Sequence, residues 1–189
     1  MHRHPNLSKA LALIYLEALF CLSVIQLQAH ANDWKAFGAD NASTQYSPLK
    51  QIHQGNVKHL KVAWEYKSEP LNKKSRSQIQ CNPLVIDGVL YGSSPNLIIF
   101  AVDAATGEEK WQFNPFTKSN PVGVNRGLIF WEEAGKSRIL FTASHWLHAL
   151  DTKTGHLIPD FGYGGRIDLR KHLRPGAENS FILSNTPGP

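Results

Sequence analysis

Cysteine is almost absent from this chain of 189 residues. There are two, and Cys21 lies inside an N-terminal apolar run that reads as a leader. A mature chain left with Cys81 alone cannot build an internal disulfide framework. Other catalytic signatures are missing too. No G-x-S-x-G elbow occurs, and no evident base stands beside Cys81, so a buried, inert thiol is its expected state. His145 and His148 sit three apart in a predicted strand and face opposite sides of it, which argues against a shared metal. Gly162-x-Gly164-Gly165 neither follows a long buried strand nor opens a helix, so it is no nucleotide cradle. A large excess of either charge is missing as well: the formal net charge is +5, and mild basicity spread along a chain points to no particular partner. The densest basic cluster, Lys73, Lys74 and Arg76, lies in a polar stretch without interleaved aromatics. It reads as a solvated loop and argues against nucleic acid as a partner.

A long apolar run, Ala10 to Leu27, follows Arg3 and Lys9 and leads into Ala29-His30-Ala31. That order predicts a secretory signal peptide over residues 1–31 with an A-x-A cleavage site. Export would leave residues 32–189 in the periplasm, with association to the inner membrane left open. Glu17 within the run favours cleavage over a retained anchor. Bulky Phe20 before Cys21 is a poor fit to a lipoprotein signal, which makes lipidation a minor alternative. Losing Arg3, Lys9 and Glu17 takes the formal charge from +5 to +4. The remaining residues, about 160, suit one domain.

What the chain has in quantity is repetition. Residues 100–111 read FAVDAATGEEKW and residues 148–159 read HALDTKTGHLIP. Both carry Ala-x-Asp-x-x-Thr-Gly, 48 residues apart, a period in the range of propellers and related arrays. Within one period, Leu84 to Ile86, Val89 to Ser93, Leu97 to Val102 and Glu108 to Phe113 read as short antiparallel strands. Asp87-Gly88 reads as the hairpin between the first two. Four such strands make one propeller blade. Asp103 is expected to accept hydrogen bonds from amides two or three residues on, Thr106 to add its hydroxyl, and Gly107 to take the left-handed conformation that reverses the chain. Asp151, Thr154 and Gly155 should do the same one period later. Small Ala101 and Ala149 would let the next sheet approach closely. Trp111 and Phe113 share one face of the fourth strand while Lys110 and Gln112 share the other, and Val62, Trp64 and Tyr66 repeat that pattern one period earlier. A second blade is expected from Gly127 through Trp131, Arg138 to Thr142, Trp146 to Leu150 and a shortened fourth strand. Pro159 stands there in place of Trp111 and cannot donate to a ladder, leaving Phe161 as the candidate for the missing buried ring.

Together these residues resemble a known family. Ala101-x-Asp103-x-x-Thr106-Gly107-x-x-x-Trp111 is similar to the tryptophan docking motif of quinoprotein dehydrogenases, eight-bladed propellers that use pyrroloquinoline quinone (PQQ) with calcium. Trp34, Tyr46-Ser47-Pro48-Leu49, Ile52, Asn56-Val57, Leu60 and Ala63-Trp64 follow the family's usual order. Val124-Asn125-Arg126-Gly127-Leu128 with Trp131 resembles the methanol-dehydrogenase-like branch, whereas Phe161-Gly162, Gly165 and Asp168-Leu169 look more like membrane-type glucose dehydrogenases. The resemblance covers essentially all of residues 33–189. It implies an all-β β-propeller of which this chain holds about two blades plus an N-terminal outer strand, as an N-terminal fragment of a longer protein. An open array leaves blade faces unburied, so the fragment alone is expected to be inactive.

The resemblance also implies site residues. PQQ carries several carboxylates, which an arginine binds through charge-assisted, bidentate contacts. Arg126 matches the family's cofactor-contacting arginine, at a blade's inner edge facing the central channel; the alternative is an arginine that bridges neighbouring blades through a salt bridge. Gln80 stands where the family often places a glutamate near the cofactor. It can hydrogen-bond the cofactor without supplying charge, or be a plain polar loop residue. Thr186 matches a hydroxyl position near the cofactor, or is a turn residue before Pro187. Asn120-Pro121 replaces the adjacent cysteines of the methanol branch and Val122 the histidine of the glucose branch, so neither branch's substrate carries over. The family's calcium ligands and catalytic aspartate are expected beyond Pro189; no catalytic or metal residue is assigned within the chain, and a fused haem domain is left open. The implied activity is oxidation of an alcohol, polyol or aldose sugar, with electrons passed to a quinone or a c-type cytochrome. Competing readings are a non-enzymatic propeller scaffold or binding protein of the cell envelope, and an inactive truncated product.

Overall fold

The computed structural model describes residues 33–40, 42–68, 78–116, 124–171 and 173–176. Its strands are β1 (Leu84–Ile86), β2 (Val89–Ser93), β3 (Ile99–Asp103), β4 (Glu109–Phe113), β5 (Ile129–Glu133), β6 (Lys136–Ala143), β7 (Trp146–Asp151) and β8 (Arg166–Asp168). They form two four-stranded antiparallel sheets in sequence order, β1 to β4 and β5 to β8. These are the two expected blades.

Turn chemistry sets the strand limits. Asp87 and Gly88 have φ of 49° and 74°, the geometry whose twist matches the flanking strands of a two-residue hairpin. β1 and β2 therefore begin and end where the sequence predicts. β3 starts two residues later than expected, because Leu97 takes a φ of 62° in a turn held by the Ser94 hydroxyl, which accepts from Asn96 N and Ile98 N at 3.2 and 3.1 Å. In the second sheet the expected Gly127 to Trp131 strand is displaced to Ile129–Glu133. The hairpin that follows is made by Ala134 and Gly135, at φ 49° and 74°, and alanine in the left-handed region is no sequence signal. β6 runs past both expected ends, β7 gains Asp151, and His145 lies in the turn before β7 rather than in the strand.

The fourth strand of the second blade departs most from expectation. It is split rather than simply shortened. Leu157 bridges to Leu150 and Ile158 N donates to Ala149 O at 3.0 Å. The chain then leaves the sheet at exposed Pro159, which has no N–H to continue the ladder, and returns as β8, pairing Arg166 with His148 and Asp168 with Trp146. Leu157, not Phe161, packs against the core; Phe161 is half-buried outside it.

One apolar core joins the blades face to face, with Leu84, Tyr91, Ile99 and Ala101 from the first sheet and Ile139 and Phe141 from the second. Each large side chain so buried contributes about 1.5–3 kcal/mol. The repeated turn completes this interface. Trp111 Nε1 donates to Thr152 O at 2.9 Å, and its indole covers Gly155, where a Cβ would stand 2.5 Å from the ring. One period earlier Trp64 Nε1 donates to Ala104 O at 3.2 Å and covers Gly107 in the same way. Each tryptophan thus docks on the turn of the following blade. The turns are built as expected: Asp103 accepts from Ala105 N and Thr106 N, Asp151 accepts from Lys153 N and Thr154 N, and the hydroxyls of Thr106 and Thr154 accept from Glu108 N and His156 N.

Gly155 therefore has two jobs, a left-handed backbone at φ 69° and a bare floor for the indole. Gly155→Ala is expected to cost about 1–2 kcal/mol for the backbone alone, plus the relief of overlap with Trp111. Gly88→Ala, at φ 74° with open space around it, should show only the first part. A larger drop in denaturant midpoint for Gly155→Ala than for Gly88→Ala checks this.

Residues 61–68, expected as an N-terminal outer strand, form no strand and pair with none of the described strands. Trp64, Tyr66 and Ser68 are half-buried and alternate with exposed Glu65 and Lys67; Val62, expected on the inner side, is exposed. Side chains hold the segment to the first blade. The Tyr66 ring lies 4.9 Å from Phe100, and its hydroxyl donates to the Glu109 carboxylate at 2.7 Å.

Candidate functional site

The lead-in segments of β1 and β5 run side by side. Asn82 and Gly127 form a parallel bridge, and Asn82 N donates to Arg126 O at 2.9 Å. Asn125 is buried; its Oδ1 accepts from Gly127 N at 2.8 Å and its Nδ2 donates to Thr142 O at 3.5 Å. Asn125 thus pins the main chain on both sides of Arg126, while Arg126 itself is exposed. Its guanidinium makes no ion pair with another described residue. The main chain of Arg126, not its charge, links the two blades.

Gln80, two residues before Asn82, is exposed on the same rim. Asn82 joins the segment that carries Gln80 to the main chain of Arg126, a link that a separation of 46 residues hides from sequence reading. Asn125 was also missed as a positioning residue, although an Asn two residues before a glycine is a readable turn signal. Cys81 is half-buried rather than fully buried and packs against the core. Burial raises its thiol pKa, with hydrogen bonding to Ser93 opposing, which keeps it in the unreactive thiol form.

His145 lies in the turn before β7 and His148 within that strand. His148 is buried, and its ring stacks on Phe141 at 4.8 Å. Burial first, then the charge of Arg166, pushes its pKa down to about 4. Among the described residues no group of three or more His, Cys, Asp or Glu could hold a metal ion, so these residues offer no donor set for calcium. They do fit a multiply charged anion such as PQQ: Arg126 offers an exposed guanidinium without a counterion among the described residues, and Gln80 an exposed carboxamide two residues before Asn82, whose amide binds the Arg126 carbonyl. Thr186, the signal-peptide residues 1–31, Asn120-Pro121, Val122 and the Lys73, Lys74 and Arg76 cluster lie outside the described residues.

Residues 34–188 match the PQQ family model described as the glucose/ethanol/alcohol dehydrogenase β-propeller domain. The chain belongs to this family. It is 36% identical over 143 residues to the dehydrogenase subunit of the quinone alcohol dehydrogenase of Gluconacetobacter polyoxogenes, covering 72% of this chain and 18% of that protein. To quinoprotein glucose dehydrogenase A of Acinetobacter calcoaceticus it is 31% identical over 176 residues, 78% of this chain and 22% of that one. The crystal structure of the quinohemoprotein alcohol dehydrogenase from Comamonas testosteroni aligns with a TM-score of 0.59 at 30% identity, over 79% of this chain and 21% of that chain. The chain spans about a fifth of the length of the relatives it matches. Alcohol and glucose dehydrogenases stand at similar identity, in keeping with the mixture of motifs from both branches. The rim that carries Arg126 therefore lies in two blades of a PQQ-family β-propeller.

Proposed function

We propose that this chain supplies two blades of a PQQ-dependent dehydrogenase that oxidises an alcohol, polyol or aldose sugar in the periplasm. Electrons then pass to a quinone or a c-type cytochrome. The observation that carries the reading is Arg126, held by Asn82 and Asn125 with its guanidinium exposed and without a counterion among the described residues. When bound, PQQ supplies the two-electron acceptor chemistry that the side chains lack. Arg126 binds a cofactor carboxylate through paired N–H groups, and Gln80 hydrogen-bonds the same molecule from the neighbouring blade's rim. Calcium and the base that takes the substrate proton are assigned to residues outside these two blades. Export is supported by Arg3, Lys9, the apolar run after them and Ala29-His30-Ala31. A cytochrome acceptor is supported by similarity to the 1-butanol dehydrogenase (cytochrome c) of Thauera butanivorans, 35% identical over 150 residues.

The test is a fluorescence titration of the intact protein with PQQ at fixed salt. Arg126→Ala is expected to weaken binding by roughly 10- to 100-fold, the loss of a charged hydrogen bond of about 1.5–3 kcal/mol. Arg126→Lys should recover only part of it, because a lysine cannot form the fork. Equal affinity for wild type and Arg126→Ala would remove Arg126 from the site, and no PQQ binding by the wild type would favour the scaffold reading.

A further inference from the structure

The repeat builds one kind of inter-blade cleft twice, with different chemistry in each copy. In the first, Tyr66 stands over Phe100 of the following sheet, with ring centroids 4.9 Å apart; in the second, Phe113 stands over His148 at 6.2 Å. Phe100 and His148 occupy the same place in the repeat, two residues before the Leu or Val that leads into each Asp-x-x-Thr-Gly turn. Around Phe100 the walls are mostly apolar, with Ile79, Pro83, Leu90 and Val102 among them. Around His148 they are Phe113, Pro115 and Leu157 on the apolar side, with Tyr163 and Arg166 on the polar side.

Three features set the second cleft apart from the first. His148 is 2% exposed, and its Nδ1 has no hydrogen-bond partner among the described residues. Leaving such a group unpaired costs about 1–3 kcal/mol, which a phenylalanine, as in the first copy, would avoid. Arg166 pairs directly across the strands with His148; its guanidinium lies 4.3 Å from the Trp146 ring and makes no ion pair among the described residues. Tyr163 stands at the edge, 82% exposed.

We propose that this cleft binds a small, single-ring aromatic carboxylate, with the ring against Phe113 and Leu157, the carboxylate on Arg166, and His148 donating a hydrogen bond. The apolar walls take the body of the ligand, and Arg166, the one cationic side chain among the described residues of the wall, sets its charge. Because burial keeps the imidazole neutral near pH 7, it adds a hydrogen bond without a second positive charge, which suits a monoanion.

Benzoate serves as the probe and benzyl alcohol as its uncharged counterpart, titrated calorimetrically into the intact protein near pH 7. Saturable benzoate binding is expected, weakened at least tenfold by His148→Phe and by Arg166→Gln, and unaffected by Arg126→Ala. That last variant separates this cleft from the proposed PQQ rim, so the two ideas can fail independently. His148→Phe installs the residue the first cleft already carries, and Arg166→Gln changes a half-buried edge position. Circular dichroism melts establish that each variant is folded, and either one alone suffices for the comparison. No saturable binding, unchanged affinity in a folded variant, or equally tight binding of benzyl alcohol overturns the proposal.

Discussion

Trp111→Ala is expected to lower the stability of the protein by about 3–5 kcal/mol, the usual loss for a buried large aromatic reduced to alanine. The indole is 8% exposed between the blades, so its removal leaves a void that stiff sheets on either side refill poorly. The Nε1 hydrogen bond to Thr152 O goes with it, leaving that carbonyl with the longer 3.4 Å contact from the Tyr91 hydroxyl. Tyr91 also loses its aromatic neighbour, now 5.9 Å away centre to centre. Trp111→Phe separates the parts: it keeps a ring over Gly155 and gives up the hydrogen bond, worth about 1 kcal/mol. Denaturant unfolding of the three proteins decides the matter. A Trp111→Ala protein within 1 kcal/mol of wild type would show that the docked tryptophan does not hold the blades together.

Lowering the pH from about 6.5 to 4 is expected to cost about 3 kcal/mol of stability through His148. Its pKa in the folded protein is pushed down to about 4, by burial first and by the charge of Arg166 second. The unfolded chain, with an ordinary histidine, therefore takes up the proton first as pH falls. Stability is complete above the ordinary histidine pKa and is lost progressively as pH drops toward 4. Asp103 and Asp168, whose hydrogen bonds lower their pKa values, act in a separate window that opens only below the ordinary carboxylate pKa. His145, lowered more weakly by burial and by Arg170, contributes in the same direction as His148. His148→Phe should flatten the dependence between pH 6.5 and 4. Urea midpoints at pH 7 and pH 4.5 check it; parallel pH losses in wild type and variant would show that some other group titrates.

The strand plan was readable wherever a turn announced itself chemically. Asp87-Gly88 placed β1 and β2, and Asp103 and Asp151 with their Thr-Gly partners placed the ends of β3 and β7 within a residue. It failed where a turn used residues without a turn signature: Leu97 and Ala134 take positive φ because the surrounding hydrogen bonds hold them there, not because they prefer it. The split outer strand was half legible. Pro159 marks the break, but nothing local says that the ladder resumes at Arg166 seven residues later. At the candidate site, Arg126 stood out by its motif, whereas Asn82 and Asn125, which hold it, became visible only when segments distant in sequence met.

By itself, then, the sequence determined the local alphabet of this protein: the period, the turns, the alternation along each strand, and which two repeats must be alike. Those depend on φ preferences and hydrogen bonds within five residues, which a chain carries wherever it goes. Tertiary structure alone decided what the repeated tryptophan is for, because its partner is the glycine of the next repeat, and it alone joined Asn82 to the main chain of Arg126. It also turned equivalent positions into different environments, Phe100 in an apolar cleft and His148 beside the Arg166 guanidinium. Burial and charge at a point in space are sums over every segment that arrives there, and no single segment contains them.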